Sequence, residues 1–470
     1  MSRWLAAAVR RTPGAVALEC GAERMTYREL EARVAITAGR LAEVGVGGND
    51  RVTLRTPADL DTIVLFHALW RLGACAVPLN LRLSAAEAAA QRDRVAPRLH
   101  LEEAAPWTAA GGPGHSLPGA VAVTGTEPEG DPQRPAAILF TSGTSGVPKP
   151  AVLTAANLDA SARASRACLV TGPDDRWLCC LPLFHVGGLS ILVRAACDGA
   201  AVIVQRGFDS GAVSRAIDEA RVTRVSLVPT TLKRLLDARD DRPPPETLRL
   251  VLLGGAAASP KLLRRAAAAG FPVRASYGLT ETASQIATAG AGDPADGAVG
   301  RALPGSEVRI ADPGGGPVAP GAEGEIQVRG PTVFQGYLGD EPATARAFAG
   351  GWFRTGDIGR IEADGRLRVL DRRSDLIVSG GENVYPAEVE AALLTHPGVS
   401  EVAVWRRPDD DLGHRVVAWV VPDGSAAPSP ESLRRHCEAT LAGYKKPREF
   451  CLVAELPRNA MGKVVRAGLS

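Results

Sequence analysis

The nine residues Thr141-Ser142-Gly143-Thr144-Ser145-Gly146-Val147-Pro148-Lys149 combine hydroxyls, two glycines and one lysine directly after an apolar run, Ala136 to Phe140. Such a turn can offer backbone N–H groups and short donors to phosphate oxygens without bulky side chains in the way. It is not a Walker A loop, because Lys149 stands three residues after Gly146 and Pro150 follows it. By itself such a run is more often an ordinary surface turn. The same holds for other candidates taken singly. Glu281 can be an exposed acid at a helix start or a ligand for a hard cation, and Asp357 a turn residue or an acceptor for a pair of hydroxyls. Tyr277 can be core, Arg372 and Lys463 solvated cations, and His185 a neutral packing residue.

Five segments taken together, in order and spacing, resemble the adenylate-forming superfamily of acyl-CoA synthetases, peptide-synthetase adenylation domains and luciferases. They are Thr141 to Lys149, Ser276-Tyr277-Gly278-Leu279-Thr280-Glu281-Thr282, Trp352-Phe353-Arg354-Thr355-Gly356-Asp357, Asp371 to Ile377 with Gly380 to Pro386, and Pro457-Arg458-Asn459-Ala460-Met461-Gly462-Lys463. The resemblance covers essentially the whole chain. It implies a ligase that joins a carboxylic acid to AMP and passes the acyl group to coenzyme A, using ATP and Mg²⁺. A carboxylate attacking a polyphosphate meets repulsion, so such a site must supply cations and preorganised donors.

In those terms Thr141, Ser142, Gly143, Thr144, Ser145, Gly146 and Lys149 would hold the β and γ phosphates. Thr280 would reach the α-phosphate, and Glu281 would bind Mg²⁺. Gly255, Ala256, Ser276, Tyr277 and Gly278 would border the nucleotide, with Tyr277 against adenine, while Asp357 and Arg372 would take the ribose. Lys463 would bridge α-phosphate and acid during adenylation. A hinge within Arg372 to Asp375 would then swing the C-terminal domain to bring Gly380 and Gly381 to the site for thioester formation. Ser374 stands where the family often has Asp or Lys, and Pro150 where it usually continues with Gly.

The run Leu181-Pro182-Leu183-Phe184-His185-Val186-Gly187-Gly188-Leu189-Ser190, with the segments after Ser276 and Val369, is most similar to the 2-succinylbenzoate:CoA ligases of menaquinone biosynthesis. That resemblance implies a gating His185 and a cation for the second carboxylate, with Arg206 and Arg194 as candidates. Gly254, Gly255, Ala256 and Ala257 would form the pocket floor. Other aryl, medium-chain or malonate-type acids, a carrier-protein thiol as acceptor, and a non-catalytic nucleotide-binding protein of the same fold remain as alternatives.

Elements that could position these groups are legible as short apolar runs. Trp177 to Leu181, Ala201 to Gln205, Arg224 to Val228, Arg249 to Leu253 and Val273 to Ser276 read, with Ala136 to Phe140, as buried strands; Gly211 to Ala220 and Pro260 to Ala269 read as helices. The alternation predicts an α/β protein with doubly wound, largely parallel sheets and ligands at the strands' carboxyl ends. Upstream, Thr26 to Val44 reads as a helix, Arg51 to Leu54 as a strand, and the Gly/Pro-rich 104–135 as loop with one short strand, Ala120 to Val123. A β-rich subdomain is expected over about 291–371, including Glu307 to Ile310 and Gly324 to Arg329. The expected N-terminal adenylation domain is 1–371 and the small mobile α+β C-terminal domain 372–470, with helices Ala387 to Leu394 and Pro430 to Leu441 and strands Glu401 to Arg406, Arg415 to Val421 and Glu449 to Val453.

Composition narrows the partners. With 54 Lys and Arg against 52 Asp and Glu, net charge +2, there is no electrostatic footprint for nucleic acid or an anionic membrane. No long uncharged apolar run or signal-peptide pattern occurs, so the expectation is a cytoplasmic protein without a membrane span. The eight scattered cysteines form no C-x-x-C pair and fit reduced thiols. Expected partners are thus a small carboxylic acid, ATP and CoA, with a homodimer as the oligomeric expectation.

Overall fold

Arg224–Leu227 and Leu250–Leu253 are buried along their whole length and pair in parallel, as expected of strands covered on both faces by helices. The computed structural model describes residues 3–108, 131–142, 148–256, 258, 260–371, 377–424, 427–457, 466 and 469. In a nine-stranded sheet the order is Arg301–Ala302, Ser284–Thr288, Val273–Leu279, Leu250–Leu253, Arg224–Leu227, Arg176–Cys179, Ala201–Val204, Val16–Cys20 and Glu23–Thr26. The pairings from Val273–Leu279 through to Val16–Cys20 are parallel, and those at the two margins antiparallel.

A second sheet runs Gly336–Tyr337, Pro148–Thr154, Pro135–Ser142, Cys75–Pro78, Arg51–Leu54, Leu99–Leu101. The expected strand Ala136 to Phe140 therefore belongs here, paired in parallel with Cys75–Pro78, and not beside Trp177. Apolar content alone does not say which sheet a fully buried strand will join. Helix Tyr27–Glu43 begins at Thr26, whose hydroxyl accepts the Glu29 N–H while the Glu29 carboxylate accepts the Thr26 N–H, a reciprocal cap.

Antiparallel strands Glu307–Ala311, Gly324–Arg329, Trp352–Ile361 and Phe348–Ala349, with Leu367–Asp371 beside Trp352–Ile361, form the β-rich part. Arg301–Ala302 and Gly336–Tyr337, from the same stretch of sequence, instead finish the edges of the other two sheets. In the C-terminal part, Val399–Asp409, Gly413–Pro422 and Glu449–Leu452 make a three-stranded sheet packed with helices Pro386–Leu393 and Pro430–Thr440 around Val389, Leu393, Val404, Val416, Val420 and Leu433.

Two units divide the chain. One comprises Met1–Leu79, Val95–Leu139 and Pro150–Leu370; the other comprises Asn80–Arg94, Phe140–Lys149 and Asp371–Ser470. All eight cysteines are free thiols. Among the described residues no helix is long and apolar enough to cross a membrane. The expected strand Ala120 to Val123 lies outside the described residues.

Candidate active site

At the carboxyl ends of neighbouring parallel strands the nine-stranded sheet sets down a row of the predicted residues, the usual place for a ligand on such sheets. Ser276 and Tyr277 lie in Val273–Leu279, Gly254 to Ala256 follow Leu250–Leu253, Val228 follows Arg224–Leu227, and the run to His185 follows Arg176–Cys179. These turns touch one another. Ser276 Oγ donates to the Leu253 carbonyl at 3.0 Å, and a Cβ on Gly254 would come within 2.7 Å of that hydroxyl. Gly255 has φ +78°, a left-handed conformation suited to glycine.

Beyond Tyr277 the strand bulges and turns. A Cβ at Gly278 would lie 1.8 Å from the Ser284 carbonyl oxygen, so only glycine fits between the two chains. Thr280–Thr282 make a single helical turn, closed by Ala283 N–H on the Thr280 carbonyl at 3.0 Å. Ala283 and Ser284 both have positive φ, 51° and 105°, each costing on the order of 1–3 kcal/mol for a residue with a Cβ. Thr282 Oγ1 counters this by donating to the Ser284 carbonyl at 3.0 Å, and Ser161 Oγ donates to that of Ala283 at 2.6 Å.

Two carboxylates are held from this region, each by a tyrosine. Glu281, 6% exposed, accepts from the Tyr337 hydroxyl at 2.8 Å; Asp357, 3% exposed, accepts from the Tyr277 hydroxyl at 2.7 Å. Hydrogen bonds to an ionised acceptor are about twice as strong as neutral ones, so each phenol fixes where its carboxylate points. Tyr337 arrives from the edge strand of the other sheet and was not predicted; nothing in its local sequence marks it. Asp357 lies inside the strand Trp352–Ile361, where its register against Gly324–Arg329 shifts; Thr355 Oγ1 bonds the Ile326 carbonyl at 2.7 Å there and Gly356 has φ 72°.

His185 occupies the N-cap position of helix Val186–Asp198, half-buried, its ring 4.6 Å from that of Phe184. Gly188 is required there, since a Cβ would meet the Pro182 carbonyl oxygen at 2.3 Å.

The two arginines suggested for a second carboxylate are placed very differently. Arg194 is buried at 3% exposure, over the Trp177 ring at 4.7 Å, and donates to Gln285 Oε1 at 2.8 Å, Ser165 Oγ at 3.3 Å and the Ser190 carbonyl at 3.1 Å. Burial pulls its guanidinium down to about 10, still charged at neutral pH. Arg206 is exposed and pairs with Asp59 at 3.0 Å.

In the unit that includes the C-terminal part, Thr141 and Ser142 end the strand Pro135–Ser142, and Thr141 Oγ1 donates to the Lys149 carbonyl at 3.4 Å. Gly380 and Gly381, both at positive φ, make the two-residue turn of a tight hairpin between Ile377–Ser379 and Glu382–Val384. Gly143, Thr144, Ser145, Gly146, Ala257, Arg372, Ser374 and Lys463 lie outside the described residues. Among the described residues no cluster of three or more His, Cys, Asp or Glu could hold a metal ion alone.

The α/β scaffold thus carries two buried carboxylates, Glu281 and Asp357, each held by a tyrosine hydroxyl. The AMP-binding enzyme family matches residues 5–338, and the AMP-binding enzyme C-terminal domain matches 388–463. This chain belongs to the AMP-binding enzyme family. It is 39% identical over 477 residues to 2-succinylbenzoate--CoA ligase of Bacillus cereus, covering 100% of this chain and 98% of that one. A double mutant of o-succinylbenzoate CoA synthetase from Bacillus subtilis, bound with its product analogue, superposes at TM-score 0.90 and 35% identity, covering 99% of this chain and 98% of that one. The same enzyme with its acyl-adenylate intermediate, and with ATP and magnesium ion, superposes at 0.74 and 0.73, each at 35% identity over 99% of this chain and 97% and 98% of the other.

Proposed function

We propose that this chain converts 2-succinylbenzoate to 2-succinylbenzoyl-CoA in menaquinone biosynthesis, first forming an acyl-adenylate from ATP and then transferring the acyl group to the thiol of CoA. What carries this reading is the likeness to 2-succinylbenzoate ligases along the full length of the chain, read with the two tyrosine-held carboxylates. The protein is a cytoplasmic enzyme in this reading, working as a homodimer. Its boundary between adenylation domain and C-terminal domain falls at residue 371.

The residues present fit the groups the reaction needs. Glu281 has one carboxylate oxygen engaged by Tyr337, and a carboxylate is a ligand suited to a hard divalent cation. Mg²⁺ held there would supply charge neutralisation at phosphate oxygens. Asp357, oriented by Tyr277, accepts the ribose hydroxyls, assisted by Arg372. Glycines at 254, 255 and 278 let the turns that border nucleotide and acid pack against Ser276, Val228 and Ser284 without a Cβ in the way. Thr141, Ser142, Gly143, Thr144, Ser145, Gly146 and Lys149 receive the outer phosphates. His185 gates the acid pocket.

Lys463 neutralises charge where the acid oxygen meets the α-phosphorus, and Gly380 and Gly381 act in thioester formation. Arg194, buried with its charge retained, and Arg206, exposed beside Asp59, are the cations proposed for the second carboxylate. The test is ATP–pyrophosphate exchange across a panel of acids, followed by CoA addition. Exchange led by 2-succinylbenzoate, with AMP release dependent on CoA, is expected; a stronger response to benzoate, medium-chain acids or malonate would replace the acid in this assignment. Lys463→Ala is expected to slow exchange by on the order of a hundredfold while sparing thioester formation from supplied acyl-adenylate.

A further inference from the structure

Helix Ala155–Leu169 starts at a reciprocal cap in which Asn157 Oδ1 accepts the Thr154 N–H at 2.9 Å and Thr154 Oγ1 accepts the Asn157 N–H at 3.1 Å. Asn157, Ser161 and Ser165 follow at four-residue spacing, so they share one face, and all three are buried. Burying three polar groups on one stripe is unfavourable unless each is hydrogen-bonded. Each finds its partner on a segment flanking Glu281. Asn157 Nδ2 donates at 2.8 Å to the carbonyls of both Pro331 and Val333; the next residue, Phe334, donates its N–H to the Glu281 carbonyl at 2.9 Å, and Tyr337 follows. Ser161 Oγ holds the Ala283 carbonyl at 2.6 Å, at the first of the two left-handed residues. Ser165 Oγ donates to Gln285 Oε1 at 2.9 Å, just past the second.

We infer that Asn157, Ser161 and Ser165 form a positioning frame that sets Glu281 for its cation. Asn157 fixes the approach of Tyr337 to the carboxylate, and Ser161 keeps the strained Ala283–Ser284 pair from relaxing and rotating the Thr280–Thr282 turn. Ser165 anchors the strand beyond. None of the three is a catalytic residue; they act through the turn. This inference rests on the cation role proposed for Glu281.

The experiment measures ATP affinity calorimetrically, with Mg²⁺ and with EDTA, and needs no acid. Full-length wild type, Ser161→Ala, Asn157→Ala, Glu281→Gln and a comparison variant, Ser214→Ala, are used. Ser214 is a buried serine on helix Ser210–Glu219 that accepts from Arg239 Nη1 at 2.9 Å. Ser161→Ala and Asn157→Ala are each expected to weaken ATP binding about tenfold in Mg²⁺ and less than about twofold in EDTA. Ser214→Ala is expected to lower the thermal midpoint without changing the ratio of the two affinities. If Ser161→Ala does not fold, Ser161→Cys, with its weaker donor, should show an intermediate ratio. A ratio unchanged in both frame variants while Glu281→Gln abolishes it overturns the frame alone. A ratio unchanged in Glu281→Gln overturns the cation role on which the frame rests. Equal movement in Ser214→Ala overturns the frame as well.

Discussion

Tyr337→Phe removes one atom, the phenol oxygen that donates to Glu281 Oε1 at 2.8 Å. The ring's packing survives, including the edge-on contact with Phe334 at 4.9 Å, as does the Tyr337 N–H bond to Thr344 Oγ1 at 2.9 Å. What is lost is a hydrogen bond to a carboxylate buried to 6% exposure, where no bulk water can replace it freely. Bonds to charged acceptors contribute about 1.5–3 kcal/mol. At about 1.4 kcal/mol per factor of ten, Mg²⁺-dependent ATP–pyrophosphate exchange should fall roughly 10- to 150-fold. Because Phe fills the same space, urea unfolding should move by no more than about 1–3 kcal/mol, and the variant should remain folded. Exchange within twofold of wild type over the whole Mg²⁺ titration, in a variant of unchanged stability, would refute the claim that this phenol fixes the carboxylate.

Gly278→Ala places a methyl 1.8 Å from the Ser284 carbonyl oxygen, so soluble protein with exchange reduced by at least about a hundredfold is expected. His67 is buried and its imidazole pulled down to about 4 by desolvation. The unfolded chain then binds the extra proton between about pH 6.5 and 4. Stability is intact above pH 6.5 and is lost on acidification, by about 2 kcal/mol at pH 5; denaturation midpoints of wild type and His67→Leu between pH 7 and 5 should converge, and parallel curves would contradict this. Lys445 Nζ bridges Glu87 at 2.8 Å and Glu388 at 2.6 Å while almost fully buried. Lys445→Met should destabilise that unit by about 3–5 kcal/mol, and adding Glu87→Gln and Glu388→Gln should restore most of it in the same denaturation assay.

Much of this architecture is legible in local chemistry. Arg51–Leu54 and Gly324–Arg329 end where apolar content and turn residues say they should, and Thr26 with Glu29 announces its helix through hydrogen-bonding groups three residues apart. Glu281 and Asp357 stand out because their segments recur as a set. Tyr337, Ser161 and Asn157 do not, because each acts on a backbone or carboxylate more than 50 residues away, as in the 56-residue separation of Tyr337 and Glu281. Their own neighbourhoods explain them as a strand aromatic, a helix serine and a cap. Arg194 likewise meets partners that local sequence does not announce, several of its donors reaching Ser165, Ser190 and Gln285. Sheet membership of Pro135–Ser142 is equally nonlocal, since buried parallel strands look alike in composition.

The pairing of Val16–Cys20 with Ala201–Val204 has a consequence for biogenesis. During synthesis the first strand emerges long before its parallel neighbour, and Ala151 and Val152 must likewise await Gly336–Tyr337. Non-local strand partners, parallel or antiparallel, slow acquisition of structure and leave apolar edges open in the meantime. A ribosome-tethered chain ending before Val204 should therefore recruit chaperones and be cut readily by protease, with protection arriving only once the later strands have cleared the exit tunnel.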